Sequence, residues 1–74
     1  MSEHLPVVSG KELIRVIEKC GWQIRRQTGS HVLLYKPDSG VTLPVPNHKT
    51  VSKGTLHAIL KDADITIQTL RKLL

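Results

Sequence analysis

Apolar positions recur along this chain with two different periods, and the changes of period divide it into elements. Leu13, Ile14, Ile17 and Cys20 stand at helical spacing and form one stripe. Ser9-Gly10-Lys11-Glu12, just ahead of them, is a capping-box pattern. The Ser9 hydroxyl caps the Glu12 amide and the Glu12 carboxylate reaches back. Val8 and Leu13 take the positions of a hydrophobic staple, and Gly21 supplies the stop. The pattern predicts a first helix over about residues 10–20, preceded by a short extended lead-in at 1–8.

From Trp22 the period falls to two. Trp22, Ile24 and Arg26 alternate with Gln23, Arg25 and Gln27, which predicts a strand. Thr28-Gly29-Ser30 reads as a three-residue hairpin loop, and His31 to Lys36 as a second strand. Pro37-Asp38-Ser39-Gly40 is a turn, after which Val41 to Val45 returns as a third strand. Pro44 has no amide proton to give, so this strand belongs at the sheet edge. Helical spacing resumes with Leu56, Ile59, Leu60 and Ala63, capped by Ser52 and stapled from Val51 to Leu56. Thr66 then caps a short last helix carrying Ile67, Leu70 and Leu73.

The two turns set the register, and the register decides which side chains share a face. The first turn places Gln27 opposite His31, Arg25 opposite Leu33 and Gln23 opposite Tyr35. The second places Leu34 opposite Leu43, Val32 opposite Val45 and His31 opposite Pro46. Trp22, Ile24, Val32, Leu34, Val41, Leu43 and Val45 are then expected beneath the helices. Gln23, Arg25, Gln27, His31, Leu33, Tyr35, Thr42 and Pro44 are expected on the open face. The fold class is α+β: a three-stranded antiparallel sheet with helices on one face, in one domain over 9–74.

The composition fits this reading. Seventy-four residues suffice for one small domain. With one Trp, one Tyr and no Phe the core must be aliphatic. The lone Cys20 supports neither a disulfide framework nor a zinc site, which points to a reducing cytoplasm. No apolar run is long enough for a membrane span, and the Met1-Ser2-Glu3-His4 start does not read as a signal peptide. The net charge of +5 is unevenly placed. Acids and bases cancel in 1–20 and in 62–74, so the surplus lies in 21–61. Arg25, Arg26, Lys36, Lys49, Lys53 and Lys61 there face Asp38 alone. A one-signed segment suits a polyanion such as nucleic acid, the alternative being a merely soluble basic surface.

Among residues able to do chemistry, His31 stands out. It opens a strand on the open face, beside a turn whose Gly29 admits a close backbone approach and whose Ser30 offers a hydroxyl and an amide. Imidazole exchanges protons near neutral pH. It can take the proton of a ribose 2′-hydroxyl, which then attacks the neighbouring phosphorus. The competing reading is an exposed histidine without a role. His48, just past Pro46, is a candidate general acid, or a loop imidazole. Tyr35 lies four residues along the strand, about 13 Å from His31 at ~3.3 Å per residue. That suits stacking a base, or a half-buried structural tyrosine. Arg25, Gln27, Lys49 and Lys53 are candidate substrate contacts, or an ordinary solvated face. The histidines lack clustered metal-ligand spacing, and no phosphate-binding glycine loop or GxSxG elbow occurs. No metal or cofactor is expected.

Several segments carry a resemblance: Ser9-Gly10-Lys11-Glu12-Leu13, Cys20-Gly21-Trp22, Gly29-Ser30-His31, Thr42-Leu43-Pro44-Val45-Pro46-Asn47-His48, Lys53-Gly54-Thr55-Leu56 and Ile59-Leu60-Lys61. In this order they resemble the HicA toxins, also called YcfA-like proteins, over about residues 9–65. The resemblance implies a helix–three strands–helix fold similar to double-stranded-RNA-binding domains. It also implies an mRNA endoribonuclease that inhibits translation and is neutralised by a HicB antitoxin. The family's catalytic histidine carries over to His31, and its motif glycine to Gly29; His48 rests on this sequence alone. The chain departs from the family at Asp64, where Gly is usual after the second helix. Two other readings stay open: a non-catalytic RNA-binding module on the same scaffold, and a small protein whose open face only docks a partner.

Overall fold

Ser9 caps the first helix as its sequence predicts. Its hydroxyl accepts from the Glu12 amide at 3.1 Å, while its own amide donates to Glu12 Oε1 at 2.9 Å. The structure is a computed structural model and describes residues 4–74; Met1-Ser2-Glu3, the start of the expected lead-in, lies outside them. Six elements follow in order: α1 Gly10–Lys19, β1 Gln23–Thr28, β2 His31–Tyr35, β3 Thr42–Pro46, α2 Lys53–Ala63 and α3 Ile67–Leu73. The strands form one antiparallel sheet in the order β1-β2-β3, which leaves proline-bearing β3 at an edge. Ser52 caps α2 and Thr66 caps α3. Asp64 ends α2 in the left-handed conformation at φ 57°, which a short polar side chain tolerates.

The core is aliphatic around a single indole. Leu13, Ile14, Val16 and Ile17 of α1 meet Leu56, Ile59, Leu60 and Ala63 of α2 over Val32, Leu34, Leu43 and Val45 of the sheet. Trp22 is buried beside them, its Nε1 without a hydrogen-bond acceptor among the described residues. The expected staples close both helix entries, with Val8, Leu13, Val51 and Leu56 all buried. Val51 also donates its amide to the Val8 carbonyl at 2.9 Å, which clips the segment ahead of α1 to the segment ahead of α2.

The β2–β3 register is the expected one: Leu34 faces Leu43, Val32 faces Val45 and His31 faces Pro46. The β1–β2 register is corrected at the turn. The loop is two residues, Gly29 and Ser30, so Thr28 and not Gln27 lies opposite His31. Gly29 takes φ +58°, and two-residue hairpins draw on this left-handed region because their twist matches the strands. Gln27 pairs with Val32, on the face the helices cover. The extra residue is absorbed by a bulge between Ile24 and Arg26, where Arg25 has no partner and Arg26 faces Leu33. Beyond the bulge the expected pairing returns, with Gln23 opposite Tyr35, and the tyrosine hydroxyl donates to Gln23 Oε1 at 2.9 Å.

A second correction concerns the covered face. Ile24 and Val41 remain 50% and 47% exposed. All six residues of β1 are exposed, because α1 and α2 pack toward β3 and leave the opposite edge bare. Val41 precedes the third strand instead of starting it.

Candidate active site and nucleic-acid interface

Backbone contacts converge beside His31. It opens β2, the central strand, with an exposed side chain between Thr28 and Pro46. Past Pro46 the chain is held twice more. The Asn47 amide donates to the Ser30 carbonyl at 2.7 Å, and the His48 carbonyl accepts from the Gly10 amide at 2.8 Å. Gly10 is buried and has no room for a side chain: a Cβ there would stand 2.3 Å from the Pro46 oxygen and 2.6 Å from Asn47 Cα. The start of α1, the β1–β2 hairpin and the β3–α2 connection are thereby locked into one junction that carries both His31 and His48.

The two histidines line a single groove of about 660 Å³ that runs between β3 and α2. Pro44 and Pro46 border it from the strand, Thr50, Ser52 and Thr55 from the entry of α2, and Asp62 from further along that helix. Ser52 Oγ accepts from the Thr55 amide and donates to the Thr55 hydroxyl at 2.9 Å, so these two hydroxyls largely satisfy each other. Two imidazoles, His31 and His48, thus border an open channel that also presents the Thr50 hydroxyl and the Asp62 carboxylate. Such a pair can take a proton from one oxygen of a substrate and return one to another. A second depression, of about 320 Å³, shares His48 with the groove and is lined by Ser9, Lys11, Asn47, His48 and Lys49.

The remaining candidates are spread more widely. Gly29 sits at the hairpin tip with open space where a side chain would be. Ser30 contributes its carbonyl to the junction. Arg25 and Tyr35 pair with each other at the far end of the open face, the guanidinium carbon 5.6 Å from the ring centroid. The Gln27 side chain bonds the Gly29 carbonyl at 3.2 Å and so braces the hairpin from within. Lys49 lines the second depression, whereas Lys53, exposed at the first residue of α2, lines neither.

Four residues of this surface escape the sequence reading. Arg26 reaches the open-face register only because the bulge shifts it there. Asp62 and Asn47 come to the site through tertiary packing. Lys11 belongs to the 1–20 stretch, whose acids and bases cancel, so its charge draws no notice in the sequence. One signal was present: Gly10 inside a helix start serves no turn, and glycine at such a place marks close backbone approach.

Among the described residues no group of three His, Cys, Asp or Glu is placed to hold a metal ion, and no helix is long and apolar enough to cross a membrane. No curated protein matches the chain. A family model described as HicA toxin of bacterial toxin-antitoxin matches residues 10–65. That span runs from the first residue of α1 through Ile65, just past α2, and so contains the sheet, both histidines and the junction that holds them. Covering most of the chain, the match is decisive: this protein belongs to the HicA toxin family of bacterial toxin–antitoxin systems.

Proposed function

We propose that this toxin is an endoribonuclease that cuts messenger RNA in the cytoplasm and so stops translation. The observation that carries this reading is the shared groove, in which His31 and His48 border one channel. His31 takes the proton of a ribose 2′-hydroxyl as the 2′-oxygen attacks the adjacent phosphorus. A new P–O2′ bond forms, the P–O5′ bond breaks, and His48 returns a proton to the departing 5′-oxygen. The products are a 2′,3′-cyclic phosphate and a 5′-hydroxyl end. Acid–base chemistry of this kind requires two positioned groups and cations for the phosphoryl charge; among the described residues no Lys or Arg lines the groove itself, and Lys11 and Lys49 line the depression that shares His48 with it. Tyr35 and Arg25 offer a stacking surface to a base further along the strand.

A HicB-type antitoxin is the partner proposed for the open face, where Leu33, Tyr35 and Pro44 lie side by side in the register. Purified protein incubated with intact RNA tests the central claim. Wild type should cut and His31→Ala should not, because a positioned acid–base group contributes ~10²–10⁴-fold. His31 is exposed and packs no core, so its removal should alter stability by no more than about 0.5 kcal/mol. Equal cleavage by the two proteins would remove His31 from the mechanism. Binding without cleavage by wild type would make the chain an RNA-binding module.

A further inference from the structure

We infer that the depression between the start of α1 and the β3–α2 connection is a second phosphate site, in which Lys11 and Lys49 hold the phosphodiester next to the one being cut. The inference rests on the groove being an RNA-cleaving site, and it adds the direction in which the strand leaves. His48 lines both depressions, so a strand with one phosphate between the imidazoles meets the lysines as it passes over His48. Further along α2 the groove is bordered by Asp62, whose like charge disfavours a phosphate there. None of the five residues lining the lysine depression is acidic. The acid next to Lys11 in the chain, Glu12, is turned back onto the Ser9 amide at 2.9 Å. The helix amides at this end are also engaged, Gly10 with the His48 carbonyl and Glu12 with the Ser9 hydroxyl. Recognition therefore falls to the two ammonium groups, point charges that suit a single non-bridging phosphate oxygen.

Binding of a single-stranded RNA oligonucleotide by His31→Ala protein, followed by fluorescence anisotropy across a range of salt, isolates this site from cleavage. Adding Lys11→Gln and Lys49→Gln together should make the log–log salt slope shallower by about 0.7, the loss of one phosphate contact on a single strand, and either one alone by less. Lys72→Gln, on the exposed end of α3, should leave the slope as it was. Oligonucleotides carrying one uncharged methylphosphonate at each linkage in turn then locate the contact. At one linkage adjoining the cut, the modification should weaken binding by His31→Ala protein but not by the same protein carrying both lysine substitutions. An unchanged slope in the doubly substituted protein would overturn the site. So would a slope that falls while no single linkage shows this pattern, since the lysines would then only attract RNA diffusely. Wild-type protein that leaves RNA uncut, with the lysine variants behaving as expected, would instead refute the nuclease reading and keep the phosphate site.

Discussion

Gly10 and His48 meet backbone to backbone: the amide of one donates to the carbonyl of the other at 2.8 Å, and no side chain fits between them. Gly10→Ala would gain helix propensity, yet it must push the 46–48 segment away, and overpacking of this kind costs about 1–3 kcal/mol. The expected result is a net loss, read as a midpoint lowered by roughly 4–8 °C per kcal/mol in a domain of this size. Gly54→Ala is the opposite case. It lies in α2 with nothing within 4 Å of the added carbon, so stability should rise by about 0.5–1 kcal/mol. Thermal unfolding of the two variants side by side checks both signs.

His48 and His31 should be separable by the leaving group. His48→Ala should slow cleavage of ordinary RNA by about 10²-fold or more, as expected on loss of a general acid. A substrate with sulfur in place of the 5′-oxygen leaves as a thiolate, which needs little protonation near neutral pH. Cleavage of that substrate should be restored in His48→Ala but stay lost in His31→Ala. Failure of the sulfur substrate to rescue His48→Ala would take His48 out of the acid role.

Leu33 points to the face that the helices leave open and is only half buried, on the strand at the centre of the sheet. Leu33→Glu should therefore keep the fold and disrupt the complex with a co-expressed antitoxin, lowering affinity by about 1–2 kcal/mol or more if Leu33 is a central anchor. Co-elution on a sizing column, with circular dichroism as the folding control, decides this.

Asp64 holds a left-handed φ at the end of α2. Asp64→Gly removes the Cβ that this conformation disfavours and should stabilise by up to about 1 kcal/mol, despite the greater freedom glycine gives the unfolded chain. A urea titration with unchanged slope and a higher midpoint is the expected reading.

Sequence patterning reaches far in this chain wherever structure is local. Ser9, Glu12, Ser52 and Thr66 announce their helices because a cap is made within one turn of the residue that needs it. Pro44 declares its edge strand because a missing amide proton is a property of the residue itself. The β1–β2 pairing was legible at Gln23 and Tyr35 but not at His31, because a shorter turn and a bulge offset each other by one residue. No glycine marks that bulge; Arg25 and Arg26 look the same in or out of register. The two histidines could be listed from sequence, but their common groove depends on how β3 and α2 diverge. Lys11 was hidden for a similar reason. Its partners, Asn47 and Lys49, arrive from the other end of the sheet connection.

The composition of the two outer strands limits how this toxin can be held. An added strand would have to hydrogen-bond an edge, and at β3 two of the five residues, Pro44 and Pro46, have no donor to give. At β1 the ladder is interrupted by a bulge and carries two adjacent guanidinium groups, which oppose flat pairing with another chain. Strand addition is thus disfavoured at β3 by missing donors and at β1 by charge and the bulge, although the β1 edge itself is bare. A partner that instead lays side chains against the open face, with acids to meet Arg25 and Arg26, would cover the same face from which His31 projects.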